Sequence, residues 1–195
     1  KIHYFDISNS YISNLVNAIS FKKNNLKVVW DPGNGSTGEV VKKLLKHIPG
    51  KHILINSDID GTFPSHHPDP TEEKNLVEIK KTIKKHHADI GIAFDGDGDR
   101  IGVLDAQGKF ISGDKLLLLF AIDILKKRPN SKIIADVKAS NFVFKTIKSL
   151  GGTAIMSKTG HSLIKAKMKE TKSLLAGEMS GHIFFSDEYY GFDDA

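Results

Sequence analysis

Three aspartates on alternate residues follow an apolar segment near the middle of the chain. Asp95, Asp97 and Asp99 are separated by single glycines, and Arg100 comes directly after them. Three carboxylates can converge on one hard cation only if the backbone curls tightly, which the two glycines permit. Such a set leaves room on a small ion for a phosphate oxygen and water, so it favours magnesium over calcium. Because the Arg100 guanidinium is a planar donor suited to phosphate, the motif predicts a magnesium site for phosphate chemistry.

A second acidic motif offers a different chemistry. Asp58 and Asp60 stand in the sequence Asp-Ile-Asp-Gly-Thr, directly after an apolar segment. This motif resembles the nucleophile loop of haloacid-dehalogenase-type phosphatases, where Asp58 would attack phosphorus and Asp60 would act as acid and base beside magnesium. The simpler interpretation is a polar loop whose aspartates bind its own backbone amides. The phosphatase therefore stays open as an alternative.

A glycine-rich turn supplies a third possibility. Gly33, Gly35 and Gly38 form the pattern G-x-G-x-x-G between a predicted strand and a predicted helix, as in a dinucleotide-binding module. However, Asp31 and Pro32 lie between the strand and the first glycine, and a fixed anion there would repel a pyrophosphate. The sequence favours a tight strand-to-helix turn and keeps dinucleotide binding as an alternative.

Composition excludes several other classes of function. The 195 residues include no cysteine, which rules out disulfides, thiolate metal sites and cysteine nucleophiles, and we expect a cytoplasmic protein. The 28 basic and 23 acidic residues give a net charge of +5. The lysines at 80, 81, 84 and 85 fall on the outer face of one predicted helix, so we expect a solvated surface and no nucleic-acid partner. The most apolar run, 116–125, is too short for a bilayer, so no membrane partner is expected.

The hydrophobic pattern predicts the elements that position these residues. Short apolar strands alternate with amphipathic helices, which indicates an α/β fold of two consecutive domains with mainly parallel mixed sheets sandwiched by helices. The predicted strands are 27–31, 52–56, 88–94, 101–104, 132–136, 153–156, 174–177 and 183–185, and the predicted helices are 10–21, 37–47, 72–86, 112–127, 141–150 and 162–169. The helix 112–127 is apolar on nearly all sides and is predicted to be buried centrally, with Ser112 as its cap. Polar loops follow the carboxyl ends of strands, where open α/β sheets bind ligands.

Two hexapeptides together carry a family resemblance. Residues 95–100 and 177–182 (Gly-Glu-Met-Ser-Gly-His) resemble the α-D-phosphohexomutase superfamily, in its phosphomannomutase/phosphoglucomutase branch. Residues 60–64, 66–68, 158–161 and 191–194 support it, and order and spacing match over essentially the whole chain. The resemblance implies a linker and helix over 1–24, a metal-binding second family domain over 25–109, and a sugar-binding third domain over 110–195 that is truncated at its C-terminal end.

The resemblance also implies an activity and a set of site residues. Family members interconvert the 1- and 6-phosphates of a hexose, mannose or glucose, through a magnesium-assisted phosphoserine and a bisphosphorylated sugar. By resemblance, the metal ligands are Asp95, Asp97 and Asp99, the catalytic residues are Arg100 and His182, and the substrate contacts are Lys138, Thr159, Gly160, His161, Glu178, Ser180 and His182. Simpler roles stay open: Glu178 could cap a backbone turn, His161 could be satisfied by the backbone at a helix start, and Lys138 could be solvated.

Two expected family motifs are missing from this sequence. Neither the serine loop, similar to T-A-S-H-N-P, nor the phosphate loop, similar to R-x-S-G-T, occurs in it. We therefore expect a piece of a longer mutase that turns over nothing by itself. Its expected partners are the phosphohexose, its bisphosphate and the missing domains of the same polypeptide. The preference for mannose or glucose, the oligomeric state and the role of the loop around His66 and His67 stay open.

Overall fold

The computed structural model describes residues 2–19 and 25–186. The chain divides into two compact units, the first formed by Lys1–Asp97 and Leu104–Lys109 and the second by Gly98–Val103 and Phe110–Ala195. Helices and sheets that contain parallel strand pairs make up both units, which confirms the predicted α/β class. The domain limits predicted from the sequence stay a prediction. No helix in the described part of the chain is long and apolar enough to span a membrane.

The first sheet has five strands in the order β2-β1-β3-β4-β5. Its strands are β1 (Lys27–Asp31), β2 (Lys51–Leu54), β3 (Ile90–Phe94), β4 (Ile101–Asp105) and β5 (Phe110–Ile111), and the helices before β3 are α1 (Ser8–Asn17), α2 (Gly38–Leu44) and α3 (Val77–His86). Strand β1 runs parallel to both β2 and β3. Ile79 and Ile83 of α3 are fully buried because they lie directly over Gly91 of β3, where no side chain intervenes.

The second sheet has four strands in the order β7-β6-β8-β9. Its strands are β6 (Lys132–Asp136), β7 (Thr153–Ser157), β8 (Leu175–Gly177) and β9 (Ile183–Phe185), and its helices are α4 (Gly113–Lys127), α5 (Asn141–Ser149) and α6 (His161–Thr171). Strand β6 is parallel to β7 and β8, whereas β9 is antiparallel to β8. Ile134, Ile164, Met168, Ala176 and Phe184 form a core cluster between the sheet and α6.

Some predicted elements differ from the structure. Helix α4 is not buried on all sides, since Leu119 is 55% exposed, and an apolar composition alone does not say which face is covered. Ser112 occupies the N-cap position, but its hydroxyl donates to Asp114 instead of capping the backbone. The predicted helix 72–86 begins as a 3₁₀ turn at Glu73–Leu76 before α3. The far end of the predicted helix 10–21 lies outside the described residues.

A buried ion pair fastens the long loop after β2 to the first sheet. Asp31, at the end of β1, is fully buried, and its Oδ2 lies 3.0 Å from Nε2 of His66. Its Oδ1 accepts hydrogen bonds from the Gly33 amide and from Asn56. The other His66 ring nitrogen contacts the carbonyl of His67. The hydrogen bond to Asp31 raises the pKa of His66 to about 8, against the opposing effect of burial, so this loop is held by a charged imidazolium.

Replacing His66 is expected to flatten the pH dependence of stability. Because the folded pKa of about 8 exceeds the unfolded value of 6.5, the pair stabilises the fold fully below pH 6.5 and loses its effect as pH rises through 8. A shift of this size corresponds to about 2 kcal/mol. Urea unfolding at pH 6 and pH 9 should show this loss in the wild type and not in His66→Gln.

The exposed neighbour offers a matched control. His67→Gln leaves the contacting carbonyl in place and should keep the wild-type pH dependence. An unchanged pH dependence in His66→Gln would show that the pair does not stabilise the loop.

Candidate active site

The acidic loop begins where β3 ends. Asp95 is buried, Asp97 is exposed and Asp99 is partly exposed. One carboxylate oxygen from each lies within 4.8 Å of the other two. Gly98 has a positive φ of 81°, a backbone conformation that favours glycine, and this lets five consecutive residues turn their three acidic side chains together. The structure therefore brings together the three carboxylates that the sequence predicts as metal ligands.

Backbone contacts hold both halves of this loop. In the first unit, the Ser36 amide donates to the Gly96 carbonyl at 3.0 Å, and the Ser36 hydroxyl donates to the Asp97 carbonyl at 3.3 Å. In the second unit, Nδ1 of His182 lies 2.8 Å from the Asp99 carbonyl oxygen. The shape of the loop is therefore fixed in part through its main-chain oxygens.

Glu178 joins two loops of the second unit. Its side chain is 3% exposed, and it follows the end of β8. Its Oε1 accepts the Gly160 amide at 2.6 Å, immediately before α6, and its Oε2 accepts the Ser180 hydroxyl at 3.3 Å. A carboxylate is favourable at a helix N-terminus because the helix dipole is positive there. In this conformation Glu178 therefore positions the predicted sugar contacts Gly160 and Ser180.

Two histidines meet beside Asp99. Nε2 of His161 lies 2.8 Å from Nδ1 of His182, and the two rings are nearly perpendicular, at 86°. Oδ2 of Asp99 lies 3.8 Å from the first of these nitrogens and 3.9 Å from the second. The Asp99 carbonyl can only accept a hydrogen bond, so the hydrogen lies on Nδ1 of His182 in that contact.

The remaining predicted residues lie around these groups. Arg100 Nε is 4.0 Å from Oδ1 of Asp99, and the Thr159 hydroxyl donates to Asp136 at 3.2 Å. Lys138 is exposed, two residues beyond β6. Hydrogen bonds join Gly160, Glu178 and Ser180, and within the described part of the chain Lys138 takes no part in them.

Two buried aspartates, Asp136 and Asp114, were not predicted as site residues from the sequence. Asp136, at the end of β6, is 1% exposed; its Oδ2 accepts from Thr159, and its Oδ1 has no hydrogen-bond partner within the described part of the chain. Asp114 accepts the Ser112 hydroxyl and the Ser140 amide. Burial would raise the pKa of Asp114, but these hydrogen bonds outweigh it and lower the pKa. Asp136 could have been predicted from the sequence, because it comes at the end of an apolar strand, as Asp31 does.

Comparison with known protein families decides between the alternatives. Residues 9–108 match the model described as phosphoglucomutase/phosphomannomutase, alpha/beta/alpha domain II. Residues 112–195 match alpha/beta/alpha domain III of the same family. The chain belongs to the phosphoglucomutase/phosphomannomutase family. The family resemblance predicted from the two hexapeptides is therefore confirmed.

Individual relatives agree with this assignment. The chain is 48% identical to a phosphoglucomutase of Neisseria meningitidis over 97% of this chain and 41% of that protein. It is 47% identical to a phosphomannomutase/phosphoglucomutase of Pseudomonas putida over 100% of this chain and 42% of that protein. A crystal structure of a phosphoglucomutase/phosphomannomutase family protein from Burkholderia thailandensis superposes with a TM-score of 0.93 at 45% identity, covering 97% of this chain and 41% of that one. The chain thus spans about two-fifths of the length of these relatives.

The contacts of Asp58 and Asp60 do not support the phosphatase alternative. The Asp58 side chain is 93% exposed and pairs with Lys42 at 2.7 Å, a hydrogen bond that lowers the pKa of Asp58. Asp60 accepts hydrogen bonds from the amide and hydroxyl of Thr62, as the simpler interpretation expected. Within the described residues, neither aspartate belongs to a group that could hold a metal ion.

The dinucleotide alternative fails because the backbone amides of the glycine-rich turn already donate hydrogen bonds within the protein. The amides of Gly33, Asn34, Gly35, Ser36 and Gly38 donate to oxygens of Asp31, Asn56, Pro32, Gly96 and Gly35, respectively. A pyrophosphate needs such amides to be available. The glycine pattern is therefore a structural strand-to-helix turn, which also supports the acidic loop through Ser36.

Gly181 is expected to be intolerant of alanine for two separable reasons. Its φ is 100°, and an added Cβ would lie 2.6 Å from the Ile101 carbonyl oxygen. Gly151 provides the matched control, since it has a φ of 80° with nothing within 4 Å of an added Cβ. Gly151→Ala should cost about 1 kcal/mol from backbone strain alone, and Gly181→Ala should cost at least about 1 kcal/mol more. Urea unfolding measures both, and equal losses would show that the contact with Ile101 is not rigid.

Proposed function

We propose that this chain is the metal-binding and sugar-binding part of a phosphohexomutase. The enzyme would interconvert the 1- and 6-phosphates of mannose or glucose through a bisphosphorylated sugar. Membership of the phosphoglucomutase/phosphomannomutase family supports the reaction class. The observation that carries the proposal for this chain is the convergence of Asp95, Asp97 and Asp99 within 4.8 Å. A cytoplasmic location is part of the same proposal.

The donor set of the acidic loop fits magnesium. Three carboxylates are hard oxygen ligands, and this ion prefers such ligands together with water or phosphate oxygens. Bringing three like charges together is unfavourable without a cation, and Asp95 is buried as well. Asp95, Asp97 and Asp99 would hold the ion, which would neutralise charge on the phosphoryl group during transfer.

Other residues of the chain would bind and orient the phosphate. The Arg100 guanidinium is held near the acidic loop, 4.0 Å from Asp99, and offers a planar pair of donors to phosphate oxygens. His182, fixed through its contact with the Asp99 carbonyl, would move a proton at its other ring nitrogen. A phosphoserine from another part of the longer protein would carry the phosphoryl group, so we expect no turnover by this chain alone.

The loops joined by Glu178 would recognise the sugar. Glu178 and Ser180 offer oxygen acceptors to hydroxyl groups, and Thr159, Gly160 and His161 lie on the loop that Glu178 holds. A ring of acceptors around neutral hydroxyls can bind a hexose in two orientations, which the exchange of 1- and 6-phosphates needs. Lys138 would contact the phosphate of the sugar, since it is exposed after β6 and carries a positive charge.

Removing one carboxylate of the acidic loop should abolish tight cation binding. We expect Asp97→Asn to weaken Mn²⁺ binding by at least about tenfold, because one of three anionic ligands is lost. Paramagnetic resonance of free Mn²⁺ measures the affinity in the purified chain, with Mn²⁺ standing in for magnesium. Asp58→Asn removes an exposed carboxylate of the phosphatase motif and should leave the affinity unchanged. Equal Mn²⁺ affinity in Asp97→Asn and the wild type would contradict the proposed ligand set.

The sugar loop should respond to a hexose phosphate. Adding glucose 1-phosphate is expected to shift the amide resonances of Gly160, His161 and Ser180 in a saturable manner. Glu178→Gln keeps the shape of the side chain but removes its charge, so binding should weaken about tenfold. Glu170→Gln, on the exposed part of α6, is the matched control and should bind as the wild type does. Shifts confined to other residues would contradict the assignment of this loop.

A further inference from the structure

We propose that Asp99, His161 and His182 form a second cation site, selective for a zinc-type divalent ion. One ligand atom from each of these residues lies within 4.8 Å of the other two. All three residues belong to the second unit. Two imidazoles and one carboxylate form a donor set that first-row transition ions prefer, whereas magnesium prefers oxygen alone. The set thus differs in chemistry from the acidic loop, although the two share Asp99.

The distances match those of a coordinated ion. The three ligand atoms are separated by 2.8 Å between the two ring nitrogens, and by 3.8 Å and 3.9 Å from these nitrogens to Oδ2 of Asp99. The circle through three points with these separations has a radius of about 2.1 Å, which is the length of zinc–nitrogen and zinc–oxygen bonds. An ion at its centre would lie within bonding distance of all three atoms and would replace the hydrogen bond from Nδ1 of His182 to the Asp99 carbonyl.

Glu178 supplies the outer partner that a zinc-binding histidine needs. Nε2 of His182 lies 3.9 Å from Oε2 of the buried Glu178. When an ion takes the place of the hydrogen on Nδ1, that hydrogen moves to Nε2, the ring nitrogen that faces this carboxylate. A carboxylate behind a ligating histidine fixes the ring and strengthens its bond to the metal. The Glu178 carboxylate is therefore positioned beside the ring and would have to approach by about 1 Å to accept this hydrogen bond.

The shared aspartate links this site to the proposed magnesium loop. Two divalent ions that share the Asp99 carboxylate would repel each other at close range, so zinc should compete with the ion at the acidic loop. This competition, unlike the zinc site itself, rests on the proposed function. It would make a zinc-type ion an inhibitor of cation binding at the acidic loop without occupying Asp95 or Asp97.

Visible absorption of Co²⁺ tests the site directly. A site with two nitrogens and low coordination gives strong Co²⁺ bands, whereas a six-coordinate oxygen site gives weak ones. We expect strong bands in the purified chain, displaced by Zn²⁺. His161→Gln should weaken Co²⁺ binding by at least about tenfold, and because His161 is partly exposed this variant should fold. His86→Gln, an exposed histidine at the end of α3, is the matched control and should retain the bands.

Reciprocal variants separate this site from the acidic loop. Asp97→Asn should lose Mn²⁺ binding but keep the Co²⁺ bands, and His161→Gln should do the reverse. Weak bands in the wild type, or strong bands that survive in His161→Gln, would overturn the zinc site. Displacement of Mn²⁺ from His161→Gln should need at least about tenfold more Zn²⁺ than from the wild type, because Zn²⁺ then competes only at the acidic loop itself. Failure of Zn²⁺ to displace Mn²⁺ while the Co²⁺ bands depend on His161 would overturn only the competition through Asp99.

Discussion

Repulsion between carboxylates is the constraint around which the acidic loop is built. Two unit charges about 4 Å apart repel by roughly 4 kcal/mol at an effective dielectric constant of about 20. Asp95, Asp97 and Asp99 bring carboxylate oxygens within 4.8 Å of one another. The chain holds this loop through main-chain oxygens, using Ser36 before it and His182 after it. A cation held between the three carboxylates would turn this repulsion into attraction.

Aspartates end three parallel strands of this fold, and their partners determine what each can do. Asp31 is fully satisfied by His66 and neighbouring donors, so it holds a loop and has no oxygen left for a ligand. Asp95 lies in the candidate metal group with Asp97 and Asp99. Asp136 accepts a hydrogen bond from Thr159 at one oxygen, and its other oxygen has no hydrogen-bond partner among residues 2–19 and 25–186. Aspartates at or directly after the ends of these strands therefore form a structural pair, part of a candidate cation site and a contact with the loop proposed to bind the sugar.

Strand bounds and the acidic loop depend on neighbouring residues and were predictable from the sequence. Burial and side-chain contacts depend on residues far apart in the chain and were not. The strands Lys27–Asp31 and Lys132–Asp136 match their predicted bounds, because their apolar runs are sharply bordered by polar residues. The acidic loop was also predictable, since its ligands lie within five residues. The exposure of Leu119 depends on what covers α4, which no local pattern records. The contact of Glu178 with Gly160 joins residues 18 positions apart, so only the folded structure reveals that Glu178 positions the loop proposed to bind the sugar.

The most direct test of the metal assignment is anomalous diffraction from crystals of this chain grown with Mn²⁺ in place of magnesium. The account predicts one anomalous peak within about 2.2 Å of a carboxylate oxygen from each of Asp95, Asp97 and Asp99. Ordered density that shows these three side chains turned apart, with no anomalous peak between them, would contradict it.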